Sequence, residues 1–160
     1  MSILVLGLGN ILLQDEGIGV RVIEALEAGY DMADGVTVVD GGTAGMDMLN
    51  AIAGFKHMIV ADAVKTGAPA GTVVVLKGDE VPAFFKGKLS PHQVGLSDLL
   101  AVLTLTDEQP KTITLVGCVP FGMATTLTMT DGMVERVPQM LQLVLDELAA
   151  LGAPAKPKAV

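Results

Sequence analysis

The stretch that decides the fold is MSILVLGLGNILLQDEGIG, which spans residues 1–19. Its apolar run ILVL at 3–6 has no polar interruption, which is typical of a strand buried on both faces of a parallel sheet. We therefore predict a strand from Ser2 to Leu8, a loop from Gly7 to Glu16 and a helix from Gly17 to Ala28, whose apolar residues recur at helical spacing.

The rest of the chain continues the alternation of strands and helices. Short apolar runs predict further strands, and apolar residues three or four positions apart predict helices. The predicted strands are Val36–Asp40, Met58–Ala61, Thr72–Leu76 and Thr112–Val116, and the predicted helices are Thr43–Ala53, Leu96–Leu105 and Thr130–Leu151. Within the last helix, Pro138 is expected to introduce a kink or to reset the first turn.

The connections between these elements predict the fold class. The turn Gly67–Gly71 is too short for a helical crossover, so the strands on either side of it are expected to form an antiparallel hairpin. The other connections suit parallel crossovers. We predict an α/β fold, in which residues 1–151 form a single three-layer domain with an open, twisted, mostly parallel sheet and helices on both faces. Residues 152–160 are expected to be a disordered tail.

Composition limits the functional classes. The 160 residues are 51% hydrophobic and 18% charged, which fits one folded domain. The net charge of −8 leaves no basic surface for a nucleic acid, so no such partner is expected. No apolar segment has the length of a membrane span, and the first basic residue is Arg21, so the positive start of a signal peptide is missing. We expect a cytoplasmic protein with no membrane partner.

The functional crevice of such a sheet lies at the carboxyl ends of its strands. Gly7 and Gly9 follow the first strand there, but Leu12 replaces the third glycine of a dinucleotide fingerprint, so nucleotide binding is the weaker interpretation. Asp15 and Glu16 come next, where helix capping alone would explain them.

Three residues from separate segments are expected to meet at this edge: Glu16, Asp62 and His92. Two carboxylates and one imidazole make an incomplete coordination sphere, which suits nickel or zinc with open positions for substrate or water. His57 is expected at the opposite edge, and Cys118 is expected to be a small buried hydrophobe. No serine, threonine or cysteine nucleophile lies beside a base, so covalent catalysis is not expected.

These residues resemble a known family. The pattern GxGNx4DEGxG at 7–19 is similar to the amino-terminal signature of the nickel–iron hydrogenase maturation endopeptidases. DGGTAG at 40–45, Asp62 and SPHQVG at 90–95 are similar to the later blocks of that family, in the same order. The segment GCVPF at 117–121 departs from the family, whose members often carry polar residues around this proline.

The resemblance implies an endopeptidase that removes a carboxyl-terminal extension from a hydrogenase large-subunit precursor after nickel insertion. It identifies Glu16, Asp62 and His92 as nickel contacts, which would also be the catalytic residues of an aspartic-type reaction in which water attacks the peptide. We expect the nickel to be carried by the substrate, so that the three ligands sense a metal-loaded precursor; a catalytic metal that polarises the peptide carbonyl stays open as the alternative. Other divalent ions would substitute in vitro, and the protein would be a monomer. The implied substrate-binding residues are Asp40, Gly41, Gly42, Thr43 and Gly45.

Two other functions stay open on the sequence alone. A nickel-dependent chaperone or binding module would use the same ligands without cleaving a peptide. An enzyme similar to peptidyl-tRNA hydrolase would share the GLGN start at 7–10, although the net charge of −8 opposes an RNA-facing surface.

Overall fold

The computed structural model describes residues 2–42, 49–85 and 100–159. Its strands are β1 (Ile3–Leu8), β2 (Tyr30–Asp31), β3 (Val36–Gly42), β4 (His57–Ala63), β5 (Val73–Lys77), β6 (Thr112–Cys118) and β7 (Lys156–Pro157). The main sheet has the order β3-β1-β4-β6-β5. All neighbours in it are parallel except β5 and β6, which are antiparallel.

Helices connect these strands. They are α1 (Ile18–Gly29), α2 (Leu49–Ile52), α3 (Glu80–Phe85), α4 (Asp131–Val134) and α5 (Val137–Ala150). Residues 100–105 are also helical, and a 3-10 turn, Gln14–Gly17, leads directly into α1.

Strand β1 divides its side chains between two apolar clusters, one on each face of the sheet. Ile3 and Val5 belong to the cluster that contains residues of α1 and α5. Leu4 and Leu6 belong to the cluster that contains Ile52 of α2 and residues near 100–105. The predicted class, an open and mostly parallel α/β sheet with helices on both faces, is therefore confirmed.

The direction of β5 is as predicted, but its neighbour is not. The connection from β4 passes the carboxyl end of β6, where the Val64 N–H donates to the Cys118 carbonyl over 3.0 Å and the Gly71 N–H donates to the Val119 carbonyl over 2.8 Å. The chain then returns as β5 on the far side of β6. The expected hairpin of β4 and β5 is therefore wrong, because β6 lies between them.

The predicted last helix is divided in two. The Thr130 side chain caps α4 by accepting a hydrogen bond from the Met133 N–H. Pro138 lies in the first turn of α5, where the missing N–H has no helical partner to lose, so the proline resets the helix rather than kinking it. The short helix α3 was not predicted.

The end of the chain also differs from expectation. Lys156–Pro157 pair with Tyr30–Asp31 as a two-stranded antiparallel ribbon, and Ala153 is buried against the core. These contacts order residues whose composition alone predicted disorder. Within the described parts of the chain, no helix has the length and apolarity needed to cross a membrane.

Candidate active site

Asp62 is a buried carboxyl group at the carboxyl end of β4. It is fully buried, and among the described residues neither of its oxygens has a hydrogen-bond partner. Burial raises the pKa of Asp62 well above its ordinary value, and the charge of Glu16 raises it further. The Ala63 backbone N–H lies close enough to lower the pKa in part, although its geometry falls short of a hydrogen bond. A buried carboxyl group with open acceptor positions suits a ligand that brings positive charge.

Glu16 lies in the 3-10 turn that precedes α1. Only 5% of its surface is exposed, and its N–H donates to the Leu13 carbonyl over 3.2 Å. Its negative charge raises the pKa of Asp62, so the two carboxyl groups are close enough to interact electrostatically. The structure thus brings together two of the three residues that the sequence analysis selected.

Glycines of the amino-terminal motif permit this close packing. Gly9 has a φ of 122°, and a Cβ there would overlap the carbonyl oxygen of Glu16. A Cβ at Gly19 would overlap the carbonyl oxygens of Leu8 and Ala61. The glycines of the motif therefore allow the turn and the helix to pack closely against the ends of β1 and β4.

Asp15 does not cap α1, in contrast to the capping interpretation. The N-cap is Gly17, and no side chain caps it. The buried Asp15 carboxylate instead accepts hydrogen bonds from the N–H groups of Phe121, Gly122 and Thr130 at 2.9, 3.0 and 2.9 Å, and from the Thr130 hydroxyl at 2.8 Å. Sequence reasoning missed this role because the partners lie 106 to 115 positions away.

The predicted substrate-binding block begins on β3 at the same edge. Asp40 is exposed and pairs with Gly7, which pairs on its other side with Ala61. Asp40 is therefore two strands from Ala61, roughly 10 Å away. Gly41 is buried, and Gly42 pairs with Leu8 after a register shift.

The other predicted site residues, Thr43, Gly45 and His92, lie outside the described residues. Within the described ranges, no group of three His, Cys, Asp or Glu side chains could hold a metal ion. The described part of the predicted ligand set is thus the pair Glu16 and Asp62.

His57 and Cys118 are placed as predicted. His57 begins β4 at the opposite edge, where its Nδ1 lies 2.7 Å from the Thr112 Oγ1. Cys118 is buried with its Sγ 3.6 Å from the Met133 Sδ. Burial raises the pKa of the Cys118 thiol to about 11, so the thiol stays protonated at neutral pH and is a poor nucleophile.

A family model described as hydrogenase maturation protease matches residues 20–147. The chain belongs to this family. It is 48% identical to the hydrogenase 2 maturation protease of Escherichia coli K12, over 99% of this chain and 97% of that protein. It is 42% identical to the hydrogenase expression/formation protein HupD of Rhizobium leguminosarum, over 76% of this chain and 60% of that protein.

Solved structures of hydrogenase maturation proteases share the fold. The hydrogenase maturating endopeptidase HybD from E. coli superimposes with a TM-score of 0.95 at 46% identity, over 99% of this chain and 98% of that one. HybD from Thermococcus kodakarensis gives a TM-score of 0.77 at 27% identity, over 93% and 99%. This hydrogenase maturation protease is a peptide hydrolase, which goes against the chaperone and peptidyl-tRNA hydrolase alternatives.

Proposed function

We propose that this protease removes the carboxyl-terminal extension of a nickel–iron hydrogenase large-subunit precursor after nickel has been inserted. Glu16, Asp62 and His92 contact the nickel that the substrate carries. The observation that carries the proposal is the buried Asp62 carboxyl group, whose two oxygens have no hydrogen-bond partner among the described residues.

The environment of Asp62 supports recognition of a metal-loaded substrate. A carboxyl group binds a metal in its deprotonated form, so metal binding displaces its proton. Burial opposes that deprotonation when no cation is present, since a buried charge without a partner is unfavourable. A precursor without nickel brings no compensating charge, so it binds this site more weakly.

The same carboxyl groups suit hydrolysis without a covalent intermediate. The oxygen of a water molecule attacks the peptide carbonyl carbon, and Asp62 or Glu16 accepts the proton of that water. The proton then passes to the leaving amine as the C–N bond breaks. The protonated state of the Cys118 thiol argues against a cysteine nucleophile. Nickel of the substrate can polarise the carbonyl, and other divalent ions are expected to substitute in vitro.

The block from Asp40 to Gly45 is proposed to bind the substrate chain. The part on β3 ends at the same edge as Glu16, and Gly42 at its end carries no side chain that would hold an extended chain away. Gly41 is buried and would support this end of the strand from within. Thr43 adds a hydroxyl group and Gly45 a further position without a side chain. We also propose that the protein acts as a cytoplasmic monomer, which size-exclusion chromatography with light scattering would test for the oligomeric state.

The decisive experiment compares nickel-loaded and nickel-free precursor as substrates, with intact mass as the readout. We expect shortening of the nickel-loaded precursor alone. Glu16→Gln, Asp62→Asn and His92→Gln should each slow it, whereas His57→Gln, a matched histidine substitution at the opposite edge, should not.

Other outcomes would contradict specific parts of the proposal. Equal cleavage of both precursors would overturn nickel recognition. Retention of nickel by the protease with no shortening of either precursor would favour a binding module. Full activity of His92→Gln would remove the histidine from the ligand set.

A further inference from the structure

Asp15 is a second buried carboxylate at this edge of the sheet, and the proposed reaction makes no direct use of it. Its carboxylate accepts the four hydrogen bonds from Phe121, Gly122 and Thr130 described above. Its own backbone N–H donates to the Gly122 carbonyl over 3.2 Å. The residue therefore fastens the 3-10 turn to the loop that follows β6.

Gln14 reinforces the same attachment. Its backbone N–H donates to the Thr126 carbonyl over 2.9 Å, and its Oε1 accepts the Ala124 N–H over 3.2 Å. Gln14 has a φ of 55°, a left-handed conformation that side chains other than glycine adopt only where the surroundings hold them. This strain indicates that the turn is fixed by its contacts with residues 121–130 rather than by its local preference.

Glu16 is held between this loop and Gly9, which directly follows β1. Its backbone follows Asp15 directly, and its carbonyl oxygen lies where only a glycine at position 9 leaves room. We therefore expect a shift of Asp15 to move Glu16, because the Glu16 carbonyl oxygen already packs closely against Gly9.

We propose that Asp15 is a positioning residue, which holds Glu16 beside Asp62 by binding the loop at 121–130. The inference rests on the proposed function, because it concerns the contact between Glu16 and the nickel of the substrate. Asp15 itself touches neither the nickel nor the peptide.

The test measures KM and Vmax for the nickel-loaded precursor with Asp15→Asn. The asparagine side chain would place an N–H donor against backbone N–H donors that now bind the Asp15 carboxylate. We therefore expect the turn to shift and KM to rise about tenfold. A purely structural role would lower only the folded fraction, and hence Vmax, and would leave KM unchanged. Thr130→Val, which removes the hydroxyl group that donates to Asp15, should also raise KM. Thr130→Ser, which keeps this hydroxyl group, should have the wild-type KM.

Arg136→Met is the matched control. Arg136 contacts the same loop at another point, because its guanidinium lies 5.7 Å from the centre of the Phe121 ring, while its Nε donates to the Gly71 carbonyl over 2.9 Å. The Arg136→Met substitution should lower the melting temperature and change KM by less than about twofold.

Two results separate this inference from the proposed function. A wild-type KM in Asp15→Asn, or equal changes in Asp15→Asn and Arg136→Met, would overturn the positioning role while the effect of Glu16→Gln stands. A wild-type KM and rate in Glu16→Gln would instead overturn the proposed role of Glu16 itself.

Discussion

Gly19, in the first turn of α1, lies so close to Ala61 that a methyl group at position 19 would overlap the Ala61 carbonyl oxygen. The Leu8 carbonyl oxygen closes the same space from β1. This contact joins the helix to β4 one residue before Asp62. The contact therefore joins the two chain segments that carry Glu16 and Asp62.

Gly19→Ala should destabilise the protein and slow precursor cleavage. The added methyl group meets backbone atoms that cannot rotate away, so we expect a loss of about 1–3 kcal/mol in the free energy of unfolding. Gly29→Ala in the same helix is the control, because a Cβ there meets nothing within 4 Å. The control should be neutral or up to about 1 kcal/mol more stable. Urea unfolding of both variants checks this, and equal losses would contradict it.

Asp62→Asn should stabilise the protein increasingly as the pH rises. The folded-state pKa of Asp62 lies above its unfolded value of about 3.9, so the folded protein binds this proton more tightly. Below about pH 4, Asp62 makes its full favourable contribution to the free energy of unfolding. This contribution is lost as the pH rises through the folded-state pKa, by up to about 1.4 kcal/mol per pH unit.

Urea unfolding from pH 4 to 8 tests this dependence on Asp62. Asp34→Asn, at an exposed aspartate, is the control for loss of one negative charge. If the difference between wild type and Asp62→Asn stayed constant over this range, the buried carboxyl group would not behave as the structure indicates.

Cys118→Ala should leave cleavage unchanged in the folded protein. The thiol stays protonated at neutral pH and packs against Met133, so its loss should cost about 1 kcal/mol of stability and no chemistry. Cleavage rates and melting temperatures measured together check this. Loss of cleavage at a temperature where the variant remains folded would restore the cysteine as a candidate nucleophile.

Gly42→Ala should reduce cleavage more than it reduces stability. Gly42 ends a strand, where an alanine can adopt the extended backbone, but a methyl group there would obstruct the approach of the precursor. We expect a higher KM with a nearly unchanged melting temperature and nickel affinity. Gly67→Ala is the control, since a Cβ at that position meets nothing within 4 Å. Full cleavage by Gly42→Ala would remove this residue from the substrate site.

The sequence predicts the centre of the fold because β1, β4 and β6 are packed on both faces. Each of these strands appears in the sequence as an apolar run, such as ILVL at 3–6. Parallel strands place their carboxyl ends at the same edge of the sheet. Glu16 and Asp62 were expected at that edge for this reason, and the structure brings them there.

Features that depend on distant partners leave no local pattern. Asp15 reads as a helix cap because its donors, Phe121 and Thr130, belong to a loop without a motif of its own. The neighbour of β5 depends on a connection that passes around β6, which a turn such as Gly67–Gly71 does not reveal. The ribbon at Lys156–Pro157 contains a proline, which strand patterns disfavour.

The bonds between Asp15 and the loop after β6 also bear on the order of folding. Each bond joins residues more than 100 positions apart. Closing so long a loop costs conformational entropy, so these bonds are favourable only after other contacts have brought the two ends together. We expect strand β6 to join the sheet before the loop reaches Asp15. We therefore expect Glu16 to gain its support at a late stage of folding. A newly made or partly unfolded chain would then lack a formed peptidase site, and the ability to cleave would arise only with the finished fold.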